Sequence, residues 1–450
     1  MKTNRLLVAT AALFACAPAF AANDGPTKPR KDAVAHEKPG PPTSSLKLID
    51  GFKATVFAEN LGKARHLAVD PATGTVFVKL DKLKNGKGIV ELRDTNKDGK
   101  ADQTTMFGTF PGTGAAVYNG YLYASADTAV FRYKLANGKV AANAKPETIV
   151  TGLPLETQHA SKSLTVSPDG RLFVNFGAPS NACQQQDRTQ GSPGMDPCPL
   201  LENYGGIWVF DAAKKNQRQA DGKRYATGIR NAVALDWNTA SNTLYALQHG
   251  RDMLATLFPK MYSDEQSAEL PNEEFLMIRE GDDFGWPYCY NDSGFGKKVL
   301  APEYGGDGKI QDRCAGKQKP VMAFPGHWAP NDLLFYTGDA FPARYKNGAF
   351  VCFHGSWNRA PLNQGGYFVA FIPFGKDGMP SSQYEVFAEN FAEVPNQMEP
   401  GQNAGAGQLN LVSPGDAKAR PMGLAQGPDG SLYITDSVKG KVWNVTYSKK

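Results

Sequence analysis

Arg420 to Val442 reads RPMGLAQGPDGSLYITDSVKGKV, and this stretch decides the fold. The apolar run MGLA leads into the turn GPDG. The β-rich run SLYITD follows, then a second turn at VKG and a third apolar run. Asp-Gly between alternating apolar segments signals a hairpin, because Gly takes the positive φ that a tight turn needs. The stretch reads as a meander of three antiparallel strands. Such a meander cannot bury both faces alone; it needs copies of itself.

The copies are present. An outer strand, a crossing loop and an apolar strand recur at Thr55–Val69, Thr104–Val117, Thr148–Val166, Lys223–Leu235 and Val321–Phe335. EVFAENF at Glu385 leads through a Gly/Asn/Pro-rich insertion to Arg420. Second hairpins recur as GTVFV at Gly74, GYLYA at Gly120, GRLFV at Gly170, NTLYA at Asn242, GAFVC at Gly348 and GSLYI at Gly430. About six units with stretched spacings are the signature of radial repetition. The expectation is an all-β fold, a six-bladed β-propeller of four-stranded antiparallel blades, spanning residues 46–450 as one domain. The phrase FAEN at Phe57 returns at Phe387, which predicts that the N-terminal strand completes the last blade.

Composition excludes several classes. A net charge of +5 over 450 residues, with no Lys/Arg stripe, gives nucleic-acid binding no support. No run beyond the N-terminus approaches the ~20 apolar residues of a membrane span. Lys2 and Arg5 precede the apolar run Leu6–Phe14 and then Ala19-Phe20-Ala21, predicting a secretory signal over residues 1–22. A Pro/Lys-rich flexible leader follows over residues 23–45, and the predicted location is the periplasm. Cysteine usage agrees with export: Cys183 and Cys198 bracket one polar insertion, and Cys289 and Cys314 another, neither with a strand pattern of its own. A disulfide closing each loop is expected, worth roughly 3 kcal/mol apiece. Cys352 is left as a buried thiol in an apolar strand. No strand–GxGxxG–helix unit is present, so a nicotinamide cofactor has no fingerprint here.

His66, His159, His249, His327 and His354 fall in equivalent blade contexts, and fold symmetry would bring them to one rim. At this point the chain resembles the soluble quinoprotein glucose/sorbosone dehydrogenases, six-bladed propellers that bind pyrroloquinoline quinone (PQQ) and calcium. The likeness rests on TGIRNAVALDW at Thr227, QHGRD at Gln248 with LPNEEFLMIREGDDFGWPYCY, HGSWNR at His354 and RPMGLAQGPDG at Arg420. It implies oxidation of a sugar or sugar aldehyde by hydride transfer to PQQ, with His159 as the base that takes the hydroxyl proton. It further implies Arg230 as the cation facing the reduced quinone oxygen and Asn231 as a hydrogen-bond donor to the cofactor. Calcium would sit on the main-chain carbonyls of Gly250 and Arg251. Arg359 and Arg420 would meet the cofactor carboxylates, and Trp328 or Trp357 would supply an aromatic wall. Electrons would leave to a periplasmic cytochrome or quinone.

The pattern also departs from the glucose-oxidising members, which carry an acid where Gln158 stands and differ at Lys162 and Ser163. The resemblance therefore points to the sorbosone branch. Asp94, Asn96, Asp98 and Asp102 resemble the start of an EF-hand-type loop, but Thr105 stands where its Glu belongs, so a second calcium site and a polar hairpin turn both remain open. Two rival classes also stay open: a metal-dependent sugar lactonase and a non-catalytic binding propeller.

Overall fold

The computed structural model describes residues 44–394 and 413–448. The expected signal and most of the leader lie outside them. Six antiparallel sheets follow one another along the chain. Blade I comprises Ala64–Val69, Val76–Lys84, Lys87–Arg93 and Gln103–Phe107, and blade II comprises Ala115–Tyr118, Tyr121–Ala126, Ala129–Ala136 and Glu147–Val150. Blade III is built from Leu164–Val166, Arg171–Phe176, Gly206–Asp211 and Lys223–Thr227, and blade IV from Ala234–Asn238, Thr243–Gln248, Glu273–Ile278 and Met322–Phe324. Blade V holds Pro330–Phe335, Ala349–Phe353, Phe368–Ile372 and Glu385–Glu389. Blade VI takes Pro421–Gln426, Leu432–Asp436 and Val442–Tyr447 from the C-terminal meander, and its fourth strand is Phe52–Ala58.

That fourth strand closes the ring. Phe52 pairs with Tyr447 and Ala58 with Val442, antiparallel throughout, so the expected N-terminal closure is the one observed. Aromatic packing locks it: the Phe52 ring meets Phe341 and Phe387 edge-on, each at 4.8 Å. Such pairs contribute about 0.5–1.5 kcal/mol beyond their buried area. Lys47–Leu48 then adds a fifth strand to blade V, so the segment entering the ring grips two blades.

The innermost strands neighbour one another in cyclic order and line a channel of about 280 Å³. Leu67, Leu164, Leu235, Leu333 and Leu424 face it from five of the six blades. The opening turn behaves as its sequence requires: Gly430 adopts φ +79° between the paired strands of blade VI. Both expected disulfides are present, Cys183–Cys198 and Cys289–Cys314, and Cys352 is a buried thiol. One expectation is corrected. The loop closed by Cys289–Cys314 does contain strands, Cys289–Asp292 paired with Lys297–Leu300, because the turn at Ser293–Gly296 reverses a short run whose side chains are buried. No helix among the described residues is long and apolar enough to cross a membrane.

Candidate active site

Two sets of loops arrive at the same end of the ring. One joins the outer strand of each blade to the inner strand of the next, and carries His159, Arg230–Asn231, His327 and Arg420. The other follows the second strand of a blade and carries Asn181, Asp187–Arg188, His249–Asp252 and His354–Arg359. The propeller thus converts residues far apart in sequence into neighbours.

His159 sits at φ +53°, and its Nδ1 lies 2.5 Å from the Ala178 carbonyl. A carbonyl only accepts, so Nδ1 carries the hydrogen and Nε2 keeps its lone pair. Burial, reinforced by the Arg230 guanidinium, pushes the imidazole down to about 3, so the ring is neutral at ordinary pH. Gly177 makes this placement possible. A Cβ there would lie 2.6 Å from His159 Cβ and 2.7 Å from Asn231 Oδ1.

Arg230 is 3% exposed, and four of its five N–H groups are engaged. Nε donates to the Asn181 carbonyl at 3.1 Å, and Nη1 to the Gly250 carbonyl at 2.9 Å. Nη2 donates to Asn181 Oδ1 at 3.0 Å and Asp252 Oδ2 at 2.9 Å. Its backbone is held as well. Gln248 Oε1 accepts from Arg230 N at 3.0 Å, and Gln248 Nε2 donates to Glu274, which pairs with buried Lys298. Asn231 Oδ1 accepts from Asn175 Nδ2 at 2.9 Å. His159, Arg230 and Asn231 are therefore brought together as the sequence implied.

Arg420 belongs to the same end. It donates to the carbonyls of His354 and Gly355 and lies over the Tyr367 ring at 5.3 Å. The His354 imidazole is held well below its ordinary range, by burial first and then by Arg420, Arg65, His249 and Lys63. Arg65, not assigned from sequence, braces the other side by donating to Thr113 Oγ1 at 3.1 Å and Ser161 Oγ at 3.0 Å. The Arg65–His66 dipeptide was the available signal. Neither Arg65 nor Arg420 spends its Nη1 group on a described protein acceptor.

Other assignments change. The Arg359 guanidinium is 3% exposed; it donates to the carbonyls of Ala268, Gly326 and Asn363 and pairs with Glu269. It is a buried brace between loops, with four of its five N–H groups engaged by the protein. Trp328 is 1% exposed and packs edge-on against Phe353 and Phe368 in the blade V core, so it walls no cleft. Trp357 is 62% exposed on the loop after His354. The Gly250 carbonyl already accepts from Arg230, and the Arg251 side chain is buried against Glu303. Asp94, Asn96, Asp98 and Asp102 lie on the outer hairpin of blade I. There Asp94 accepts from the backbone of Asp98 and Gly99, and Asp102 from that of Thr95 and Asn96. Among the described residues no group of three or more His, Cys, Asp or Glu side chains is arranged to hold a metal ion.

A model of the TrAA12-like family matches residues 46–448. The chain belongs to this family. A curated relative is a pyrroloquinoline quinone-dependent pyranose dehydrogenase of Coprinopsis cinerea, 24% identical over 282 residues. That match takes in 56% of this chain and 36% of the relative, so the chain spans about a third of that enzyme's length. Among solved structures, the holo form of the PQQ domain of a Coprinopsis cinerea pyranose dehydrogenase superposes with a TM-score of 0.67 at 18% identity, covering 90% of this chain and 98% of that one. A calcium structure of a Trichoderma reesei carbohydrate-active enzyme of family AA12 gives 0.68 at 20% identity, over 90% and 97% of the two chains. At these identities the superpositions establish the propeller.

Proposed function

We propose that this family member is a PQQ-dependent sugar dehydrogenase acting on a pyranose or sugar aldehyde, with His159 as the base. The observation that carries the reading is the tautomer of His159: Nδ1–H is given to Ala178, which leaves Nε2 open to accept a proton next to a fixed guanidinium. The residues at this end suit PQQ, a tricarboxylate. Arg65 and Arg420 each keep an unspent Nη1 group, Lys63 lies near them, and Asn231 Nδ2 has no described acceptor. When bound, PQQ supplies the two-electron oxidant. The chain's own part is to orient the sugar hydroxyl at His159 Nε2, accept its proton there, and hold Arg230 against developing negative charge.

Calcium finds a poorer fit than PQQ. The Gly250 carbonyl implied for calcium is shared with the Arg230 guanidinium, and with the Arg251 carbonyl it makes two of the six or more oxygens calcium takes. Export to the periplasm and an electron acceptor of cytochrome or quinone type accompany this reading. The sorbosone-type substrate rests on the Gln158-His159 context and is its finest element.

The test is titration of PQQ into the purified full chain, with and without calcium, followed by absorbance after each of a panel of aldoses and osones. Stoichiometric uptake with reduction by one sugar class supports the reading. His159→Asn should then keep PQQ and lose turnover. Absence of saturable uptake in either condition refutes it.

A further inference from the structure

Asp252 follows the metal-candidate carbonyls in sequence and was not among the assigned residues. Its carboxylate is approached from three blades. Arg230 Nη2, from the loop between blades III and IV, reaches Oδ2 at 2.9 Å. Arg188 Nη2, carried on the loop closed by Cys183–Cys198, reaches the same oxygen at 2.9 Å. Asn358, from blade V, donates to Oδ1, and His327 Nδ1 stands 3.6 Å from Oδ1. Asn181 clamps the backbone on both sides, accepting from Asp252 N at 2.8 Å and donating to Asp252 O at 3.0 Å. The same Asn181 accepts twice from Arg230. Asp252, Asn181 and the Gly250 carbonyl therefore form one cradle that fixes the plane of the Arg230 guanidinium and leaves a single Nη1 N–H unspent.

We propose that Asp252 is the positioning residue of this site, acting through Arg230: it holds the guanidinium in the one orientation that presents its remaining N–H to a bound oxyanion, and offsets the charge of the paired Arg188 and Arg230. A catalytic cation is useful only when it is aimed before the reaction begins, because reorientation during the step would cost what the charge supplies. A free arginine has long-chain rotamer freedom; this one has none. The inference rests on the quinoprotein reading, and its experiment separates the two.

The experiment is a double-mutant cycle on the PQQ-loaded full chain: wild type, Asp252→Asn, Arg230→Gln and the pair. Wild-type uptake of PQQ is measured first by difference absorbance. Asp252→Asn should lower kcat by roughly 10²-fold, the scale of a misplaced catalytic group, with the sugar KM within about threefold. In the Arg230→Gln background the same change should have little further effect, because the group through which Asp252 acts is gone. A merely structural role would lower kcat equally in both backgrounds, and that result overturns the inference, as does wild-type kcat in Asp252→Asn. Where Asp252→Asn fails to accumulate, Asp252→Glu, which keeps the charge and moves the carboxylate, is put through the same cycle with the same criterion. Failure of wild type to take up PQQ overturns the functional reading and the inference with it.

Discussion

Gly177→Ala is the smallest change that strikes the site at its centre. Gly177 follows the second strand of blade III, and a Cβ built there lies 2.6 Å from both His159 Cβ and the His159 carbonyl oxygen and 2.7 Å from Asn231 Oδ1. Ordinary contacts of this kind are about 3.4–4.0 Å. Two of the three atoms belong to or adjoin the His159 backbone, so no flexible side chain can swing away. The loop must retreat by something approaching 1 Å, and it carries His159, the proposed base, with it. Overpacking of this kind costs about 1–3 kcal/mol, which a ring of this size survives. A displacement of about 1 Å at a catalytic group costs roughly 10² in rate. The expected result is a melting midpoint lowered by no more than about 5 °C with kcat reduced about a hundredfold. Gly348→Ala is the control: its Cβ would meet the Phe371 ring at 2.4 Å, in the blade V core away from His159. It should lower the midpoint and leave kcat nearly intact. Wild-type kcat in Gly177→Ala, or equal losses in the two variants, refutes the placement of His159.

Other tests follow from single contacts. Arg359→Met removes a buried guanidinium from three carbonyls and Glu269, so stability should fall by about 2–4 kcal/mol. Calorimetry reads the loss, and an unchanged PQQ Kd in the surviving fold would support its role as a brace. Asp236 borders the channel, and burial raises its carboxyl to about 7. The folded state then holds a proton that the unfolded state, with an ordinary carboxyl near 4, has released, so this group's stabilisation is lost as pH rises from about 4 through 7. Asp236→Asn should improve relative to wild type by roughly 1–3 kcal/mol between pH 5 and pH 8.5 in urea melts, and a gap that does not change with pH would sink the argument. His66 has the opposite sign. Burial lowers it to about 3, so stability falls as pH drops from 6.5 toward 3, and His66→Gln should flatten that limb. Replacing Cys183 and Cys198 by Ser should cost about 3 kcal/mol and lower turnover too, because their loop delivers Asp187 to Gln158 and Arg188 to Asp252.

The architecture was legible because its signals are local and repeated. Asp429-Gly430 fixes a turn, period-2 runs fix strands, and the twice-written FAEN fixes closure, since Phe57 and Phe387 occupy outer strands of adjacent blades. In the candidate site, His159 and Arg230-Asn231 could be singled out only through the phrases that carry the family resemblance, and their roles belong to the proposed function. Asp252 was illegible for a physical reason. Its partners are supplied by Arg188, Asn358 and His327, which no spacing rule connects, and it lies in an insertion without periodicity. The two tryptophans fail in another way: Trp328 and Trp357 are the same residue type in similar loops, and only packing makes one a core residue and the other exposed.

The same topology accounts for why chemistry collects at one end. In most blades the turn joining the first two strands is short, as at Asn119-Gly120 and Asp169-Gly170, which leaves little length for side-chain constellations. The loops that follow the second strand, including the one closed by Cys183–Cys198, and those that lead into the next blade leave from the opposite end. Residues such as Asp252 are thus drawn into contact with Arg230 without any helix or local motif to present them. The Asp252 cradle reaches from blade III to blade V, so moving any one of its loops disturbs the guanidinium. Substitutions at Asn181, which bonds both Arg230 and Asp252, should consequently mimic Arg230 variants in kcat more closely than their distance in sequence implies.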